Sequence, residues 1–225
     1  MNNCNSTSDG NSRHIDSNQT GIHEKIPELV VRNLQHPSQR PFTEHTLQAF
    51  AQAQNWLNGW QGPLILDACC GVGESTTHIA NKYPEAKVIG VDKSAHRIGK
   101  HEHYSLKQDN ALILRADLND FWRLAVQANW RLAKHFLLYP NPYPKSAHVQ
   151  RRWHASPAFA DIIKLGGQLE VRSNWQIYIQ EFSMALNIAG FSGDAHQYHG
   201  EQAITPFERK YWASGQHSWQ VIAQL

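Results

Sequence analysis

Residues 63–74 read Pro63-Leu64-Ile65-Leu66-Asp67-Ala68-Cys69-Cys70-Gly71-Val72-Gly73-Glu74. The first six form an apolar run of strand length that gives way to a turn carrying two glycines. Residues 74–82 then read as a helix. A strand apolar on both faces belongs inside a parallel sheet covered by helices. The same unit recurs downstream: residues 87–91, 111–114, 135–139 and 168–172 are further apolar runs of strand length. Helical stretches at 94–100, 118–126, 157–164 and 175–188 alternate with them. Strands alternating with helices of this length make βαβ units with right-handed crossovers. The expected fold is α/β: a doubly wound, mostly parallel, Rossmann-like sheet with helices on both faces. Residues 218–223 alternate in polarity like a half-buried strand and suit an antiparallel addition to that sheet.

A chain of 225 residues is long enough for one generous domain without disulfides or a structural metal. Residues 1–20 are rich in Asn, Ser, Thr and Asp, with Ile15 as their only branched aliphatic residue. Such a composition buries too little surface to offset ordering entropy, so a disordered tail is expected over 1–20. Residues 21–225 then form a single domain, with 21–60 as a helical extension. In that extension Thr43 is placed to cap a helix, with Leu47, Phe50, Ala51, Trp56 and Leu57 on one face. Charged residues make up only 18% and hydrophobic residues 41%, which excludes disordered and coiled-coil classes for the chain as a whole. No run approaches the ~20 apolar residues of a membrane span, and the first residues carry no apolar signal segment. Cys4, Cys69 and Cys70 offer no CxxC pair, so a reduced, cytoplasmic protein is expected.

Ligands of open α/β sheets sit beyond the carboxyl ends of the strands. Here those ends carry acids. The first strand contains Asp67 and runs into Gly71, Gly73 and Glu74; the second ends at Asp92; the third leads to Asp117. Gly71 and Gly73 permit close backbone approach and positive φ. Asp92 follows Gly71 by about the offset at which a carboxylate binds ribose hydroxyls. The turn is GxG without a third glycine, and Glu74 in the first helical turn would repel a pyrophosphate there. A nucleoside with a cationic sulfonium and no phosphate suits such a site, which points to S-adenosylmethionine. Asp67 and Glu74 are then expected at the methionine end, Asp92 at the ribose and Asp117 at the adenine amino group. A dehydrogenase is disfavoured on the same grounds.

The fourth run ends in Pro140-Asn141-Pro142-Tyr143-Pro144-Lys145, where proline forces the chain out of the sheet. At this point the chain resembles the bacterial tRNA (guanine-N7)-methyltransferases over roughly residues 60–222. The matching stretches are LDACCGVGES, IGVDKSAHR, LRADL, YPNPYPK with HVQRRW, LGGQLEVRSNWQIY and ITPFERKYWASGQHSW. The resemblance implies S-adenosylmethionine-dependent formation of N7-methylguanosine in tRNA. It places Asp67, Asp92 and Asp117 at cofactor-binding positions, with Lys145, Asn174, Thr205, Phe207 and Glu208 toward the substrate. Three departures stand out: Asn141 and Asn174 occupy positions where the family has aspartate, and Asp67 one where it has glutamate. Guanine N7 has a free lone pair, so alignment with the methyl group, more than a base, would drive transfer. Asn141 is the expected catalytic residue. An Asn-Pro loop here also resembles that of amino-group methyltransferases, with Asn141 and Tyr143 orienting an NH2. A catalytically weak RNA-binding paralogue is the remaining alternative.

From Phe121 to Ala160 there is no acidic residue, while Arg123, Arg131, Lys134, Lys145, Arg151 and Arg152 are present. Lys145, Arg151 and Arg152 are expected to meet RNA phosphates, with Tyr143 and Trp153 free to stack on bases. His101, His103, His148 and His154 lack metal-site spacing on any predicted helix, so no metal is expected. The expected partner is tRNA, with no membrane, and the expected state a monomer or weak homodimer.

Overall fold

The computed structural model describes residues 11–99 and 109–225. Two helices, α1 (Ile26–Gln35) and α2 (Glu44–Leu57), precede β1 (Leu64–Ala68). Then follow α3 (Glu74–Lys82), β2 (Lys87–Asp92), α4 (Ala95–Ile98), β3 (Ala111–Arg115), α5 (Leu118–Gln127) and β4 (Lys134–Leu138). After two 3-10 turns, Ser146–Arg151 and Trp153–Ala155, come α6 (Ala158–Leu165), β5 (Gln168–Ser173) and α7 (Gln176–Ile188). β6 (His196–Tyr198), α8 (Pro206–Ala213) and β7 (Ser218–Gln224) close the chain.

The strands form one sheet in the order β3-β2-β1-β4-β5-β7-β6. β1 to β5 pair in parallel, β7 runs antiparallel to β5, and β6 antiparallel to β7. This is the doubly wound α/β arrangement, with the antiparallel strand where the alternation of 218–223 places it. β6 was not legible: its three residues are polar and partly exposed at the sheet edge. The order reverses between β1 and β4, so the loops leaving them diverge and open a crevice at their carboxyl ends.

Alternation along β1 builds a core on each face. Leu64, Leu66 and Ala68 join the larger cluster with Phe121, Trp122, Phe159, Tyr178 and Phe182 from α5, α6 and α7. Ile65 joins a smaller cluster with Ile79 of α3, Val88, Phe136, Leu138 and Tyr139. Each large side chain fully removed from water contributes about 1.5–3 kcal/mol.

The helical extension differs from expectation in its face. Thr46, Ala49, Phe50 and Ala53 are buried, while Leu47 and Ala51 are exposed. A polar residue takes a core position because its hydroxyl has work there: Thr46 Oγ1 accepts the Asp117 N–H at 3.0 Å. Thr43 occupies the N-cap position but makes no capping bond; its hydroxyl reaches Asp120 Oδ2 at 2.9 Å instead. The expected disordered tail is also corrected for residues 11–20, while residues 1–10, with Cys4, lie outside the described residues. Ser12 N–H donates to Ser214 Oγ, Ser17 Oγ to the Pro144 carbonyl, and Asn18 Oδ1 accepts from Ser146 N–H. Ile15 packs against the larger core. Specific hydrogen bonds and one anchor thus order a segment whose composition alone would not.

Gly90 in β2 is required by the close approach of α3. A Cβ there would lie 2.3 Å from Thr76 Oγ1, the hydroxyl that donates to Asp67. Gly90→Ala should cost about 1–3 kcal/mol in urea unfolding, the range for overpacking. An unchanged midpoint would mean that α3 does not press on β2 there.

Candidate active site

Ala68 of β1 and Leu137 of β4 are register partners, so both strands end at the same level of the switch point. The first residue after each strand is left-handed without being glycine: Cys69 after Ala68 has φ 64°, and Tyr139 after Leu138 has φ 51°. Cys70 N–H donates to the Val91 carbonyl and Tyr139 N–H to the Arg172 carbonyl, which hold the two turns. A cavity of about 80 Å³ lies beside the first of them, with Cys69, Gly71, Ser75, Arg97, Leu138 and Phe207 in its wall.

The turn after β1 is built from below and from the side. Asp67 is fully buried, and its Oδ2 accepts from Ser75 Oγ at 2.6 Å and Thr76 Oγ1 at 2.7 Å. Burial pushes its carboxyl up to about 6, against those two bonds. Its Oδ1 is buried without a hydrogen-bond partner. Gly71 and Gly73 take φ 62° and 83°, and Gly73 starts α3. Asp92 Oδ2 accepts the Gly71 N–H at 3.2 Å, Oδ1 the Ser94 N–H at 2.8 Å, and Arg97 pairs with Oδ1 at 3.2 Å. Glu74 is buried and ion-paired with Arg209 of α8. Burial raises both the Cys69 thiol, to about 12, and the Cys70 thiol, so neither is poised as a nucleophile. Asp117 lies apart from this cavity's wall. It is the N-cap of α5, its Oδ1 accepting from Asn119 N–H at 2.9 Å, with Arg40 3.4 Å from Oδ2.

The loop after β4 carries Asn141 exposed, and its Oδ1 accepts the Tyr143 N–H at 3.2 Å. Tyr143 is itself left-handed, with φ 46°. Lys145 and Arg151 are exposed on this loop, and the Arg151 guanidinium sits 5.8 Å from the Tyr143 ring centroid. Arg152 is not a phosphate ligand in this arrangement, contrary to expectation. It is completely buried, pairs with Glu181 at 2.6 Å and donates to the Tyr143 carbonyl at 3.1 Å. Gln19 Oε1 accepts from the same guanidinium, and the Trp175 ring lies 4.8 Å away. A buried arginine needs a buried carboxylate, and α7 supplies one 29 residues later. The sheet splits the rest of the acid-free window. Arg131 and Lys134 stand at the amino end of β4, opposite the site, where they bond the Lys164 carbonyl and the Gln168 side chain. Trp153 packs on Trp122 in the core, not on the surface.

From the C-terminal third, Asn174 Nδ2 donates to Gln216 Oε1 at 2.9 Å. Thr205 is buried and caps α8 through the Glu208 N–H. Phe207 is exposed at the cavity, 4.0 Å from where a Cβ on Gly71 would lie. Glu208 is fully buried and already satisfied, correcting its assignment toward substrate: it accepts from Tyr139 OH, Arg172 and the Ile204 N–H. Sequence reasoning missed Arg97, Arg209, Tyr139 and Glu181. Arg97 and Arg209 lie inside the stretches quoted for the resemblance; Glu181 has no local signal, because its partners are distant in sequence.

His154 is buried against Glu181 at 3.0 Å, and His148 lies edge-on to Tyr143; His101 and His103 are outside the described residues. Among the described residues no group of three or more His, Cys, Asp or Glu side chains is placed to hold a metal. Among them, too, no helix is long and apolar enough to cross a membrane.

A protein-family model described as "Putative methyltransferase" matches residues 61–221. The tRNA (guanine-N(7)-)-methyltransferase of Stutzerimonas stutzeri (strain A1501) is 29% identical over 178 residues, 74% of each chain. The protein of the same name from Nitrosococcus oceani is 29% identical over 167 residues, covering 71% of this chain and 70% of its own. Among solved structures, one titled as an antibiotic-related methyltransferase covers 78% of this chain and 94% of its own, with a TM-score of 0.58 at 14% identity. The 16S rRNA methyltransferase KamB covers 83% and 95%, with a TM-score of 0.56 at 14% identity. At that identity the two structures speak to the fold.

The Arg152–Glu181 pair carries its own pH dependence. Burial opposes ionisation of Glu181, but the His154 hydrogen bond and the Arg152 guanidinium win and hold the carboxyl down at about 2. A carboxyl whose folded value lies below its unfolded one adds stability above the unfolded value, near 4.5, and loses it as pH falls toward 2. Glu181→Gln leaves Arg152 buried and uncompensated, and should cost about 3–5 kcal/mol in urea unfolding at pH 7. The gap from wild type should narrow as pH falls from 4.5 toward 2; a constant gap would assign the titration to another group.

Proposed function

We propose that this chain, which belongs to the methyltransferase family whose model spans residues 61–221, transfers a methyl group from S-adenosylmethionine to guanine N7 in tRNA, as a cytoplasmic enzyme. The observation that carries the reading is that two loops leave neighbouring parallel strands at the same end of the sheet, beside a cavity lined by the first of them, by Leu138 at the end of β4 and by Phe207. The Cys69–Gly73 turn from β1 and the Pro140–Lys145 loop from β4 leave neighbouring parallel strands at one level. A cofactor turn and an acceptor loop must be that close for in-line transfer. The acceptor follows from the relatives' names, which cover 70% or more of both chains.

The residues present suit the cofactor. Asp67 Oδ1 keeps a buried, unfilled acceptor position, and the positive-φ turn at Gly71 leaves backbone open to a ligand. Asp92 stands at the end of β2 with a carboxylate for ribose hydroxyls. Its partner Arg97 is half-buried, and Phe207 is exposed. Both line the 80 Å³ cavity, which is below the ~300 Å³ of ordinary small-molecule sites, so their rotation outward makes the room. When bound, S-adenosylmethionine supplies an electrophilic methyl on its sulfonium. The chain's part is placement. N7 needs no deprotonation, so no general base is required. Arg152 and the Asn141 Oδ1 bond fix both peptide groups of Tyr143 and with them the acceptor loop. The engaged Oδ1 also weighs against Asn141 as the orienting acceptor for an amino group. Lys145 and Arg151 remain exposed for phosphate.

Nucleoside mass spectrometry of tRNA incubated with the protein and methyl-labelled cofactor tests the reading. Labelled N7-methylguanosine is the expected product; label on an exocyclic amino group, or none, overturns it. Asn141→Asp keeps an acceptor for the Tyr143 N–H and restores a carboxylate near the charge that develops on the base. It should raise the rate about 10-fold, or about 1.4 kcal/mol of barrier. Asn141→Ala should be slower than wild type, and a wild-type rate would remove this loop from the chemical centre.

A further inference from the structure

Methyl transfer leaves most of residues 211–219, Tyr211-Trp212-Ala213-Ser214-Gly215-Gln216-His217-Ser218-Trp219, without a role. The stretch turns at Gly215, φ 71°, from α8 into β7 and, with β6, borders a second, solvent-open cavity of about 300 Å³. That is the lower end of the range for small-molecule sites. Gln197, Tyr198, His199, Trp212, Gln216 and His217 line it.

Its two large rings are fixed by groups of their own fold. The Arg172 guanidinium lies 3.7 Å from the Tyr198 ring centroid and is itself held by Glu170 and Glu208. Trp212 Nε1 donates to Ser218 Oγ at 2.8 Å, and Ser218 meets Tyr139 OH at 2.6 Å, which donates to Glu208. The ring centroids are 6.2 Å apart and tilted by 33°. A ligand therefore meets rings that are already ordered, which spares the cost of immobilising them. The rest of the lining offers the Gln197 amide and the His199 and His217 imidazoles for the edge of a planar ligand. Flat faces with such edge groups are the chemistry by which proteins hold unstacked bases. Position supports this: Gln216 in the wall accepts a hydrogen bond from Asn174, just past the carboxyl end of β5, and its Nε2 donates to the Ser12 carbonyl.

We propose that the cavity between β6 and the α8–β7 turn receives a second unstacked nucleobase of the substrate RNA, flanking the acceptor guanine. The proposal rests on the reading of the chain as an RNA methyltransferase. It makes the enzyme select acceptors in loops or bulges, because a base inside a duplex is not free to enter.

Binding of bulk tRNA across a salt series, with Tyr198→Leu, Tyr198→Phe and the exposed pair His199→Ala/His217→Ala, tests it. Tyr198→Leu should weaken binding about tenfold, the effect of losing one base–aromatic stack, with the salt slope unchanged because no phosphate contact is lost. Tyr198→Phe should bind like wild type, and cofactor affinity should not move in any variant. The double histidine variant changes only exposed residues and should weaken tRNA binding severalfold without lowering the melting temperature. Wild-type tRNA affinity in both Tyr198→Leu and the histidine pair would overturn the pocket while leaving methyl transfer intact. A wild-type protein that neither binds nor methylates tRNA would overturn both the pocket and the functional reading beneath it.

Discussion

Two residues held in the left-handed region, Cys69 after β1 and Tyr139 after β4, set the geometry on which the site depends. For residues with a Cβ this conformation costs about 1–3 kcal/mol each and persists only where the surroundings fix it. Here they do: each turn is closed by a backbone bond to the next strand, Val91 on one side and Arg172 on the other. Because β1 and β4 are neighbours at the switch point, the two sharp turns send their loops apart from a common origin. The crevice at the carboxyl ends of β1 and β4 is a consequence of the strand order before any side chain is considered.

Buried charge then fixes the loops. Arg152 with Glu181 and Arg172 with Glu208 are both nearly or fully removed from water. Such pairs add little net stability against apolar replacements, and their worth lies in directing bonds that an apolar group does not make. Arg152 directs its remaining donors to the Tyr143 carbonyl and Gln19, and so joins the loop after β4 to the N-terminal segment. Glu208 joins α8 to the turn at Tyr139. Arg152 and Glu208, which read from sequence as facing a substrate, are in the structure a frame that holds the turns after β4.

The parallel sheet was legible because its signals are local: apolar runs of one length, glycine turns, and acids at strand ends. Asp67, Gly71, Gly73, Glu74 and Asp92 stand out in the sequence for the same reason, and the fold places them around the switch point. Asp117 caps α5 in the structure, and a helix cap and a nucleoside ligand look alike at a strand end. Arg152 and Glu208 could not be read correctly from local pattern. Their burial is decided by Glu181, Tyr139 and Arg172, partners 29 to 69 residues away. Residues 11–20 were misjudged because composition counts apolar area and not the backbone bonds that Ser12, Ser17 and Asn18 make to distant loops.

Amide hydrogen–deuterium exchange with and without S-adenosylhomocysteine measures directly whether the β1–β4 crevice is the cofactor site. The account predicts slowed exchange at residues 70–74 and 92–94, with the amino ends of β4 and β5 unchanged. Protection confined to other parts of the chain, with 70–74 exchanging as in the free protein, would contradict it.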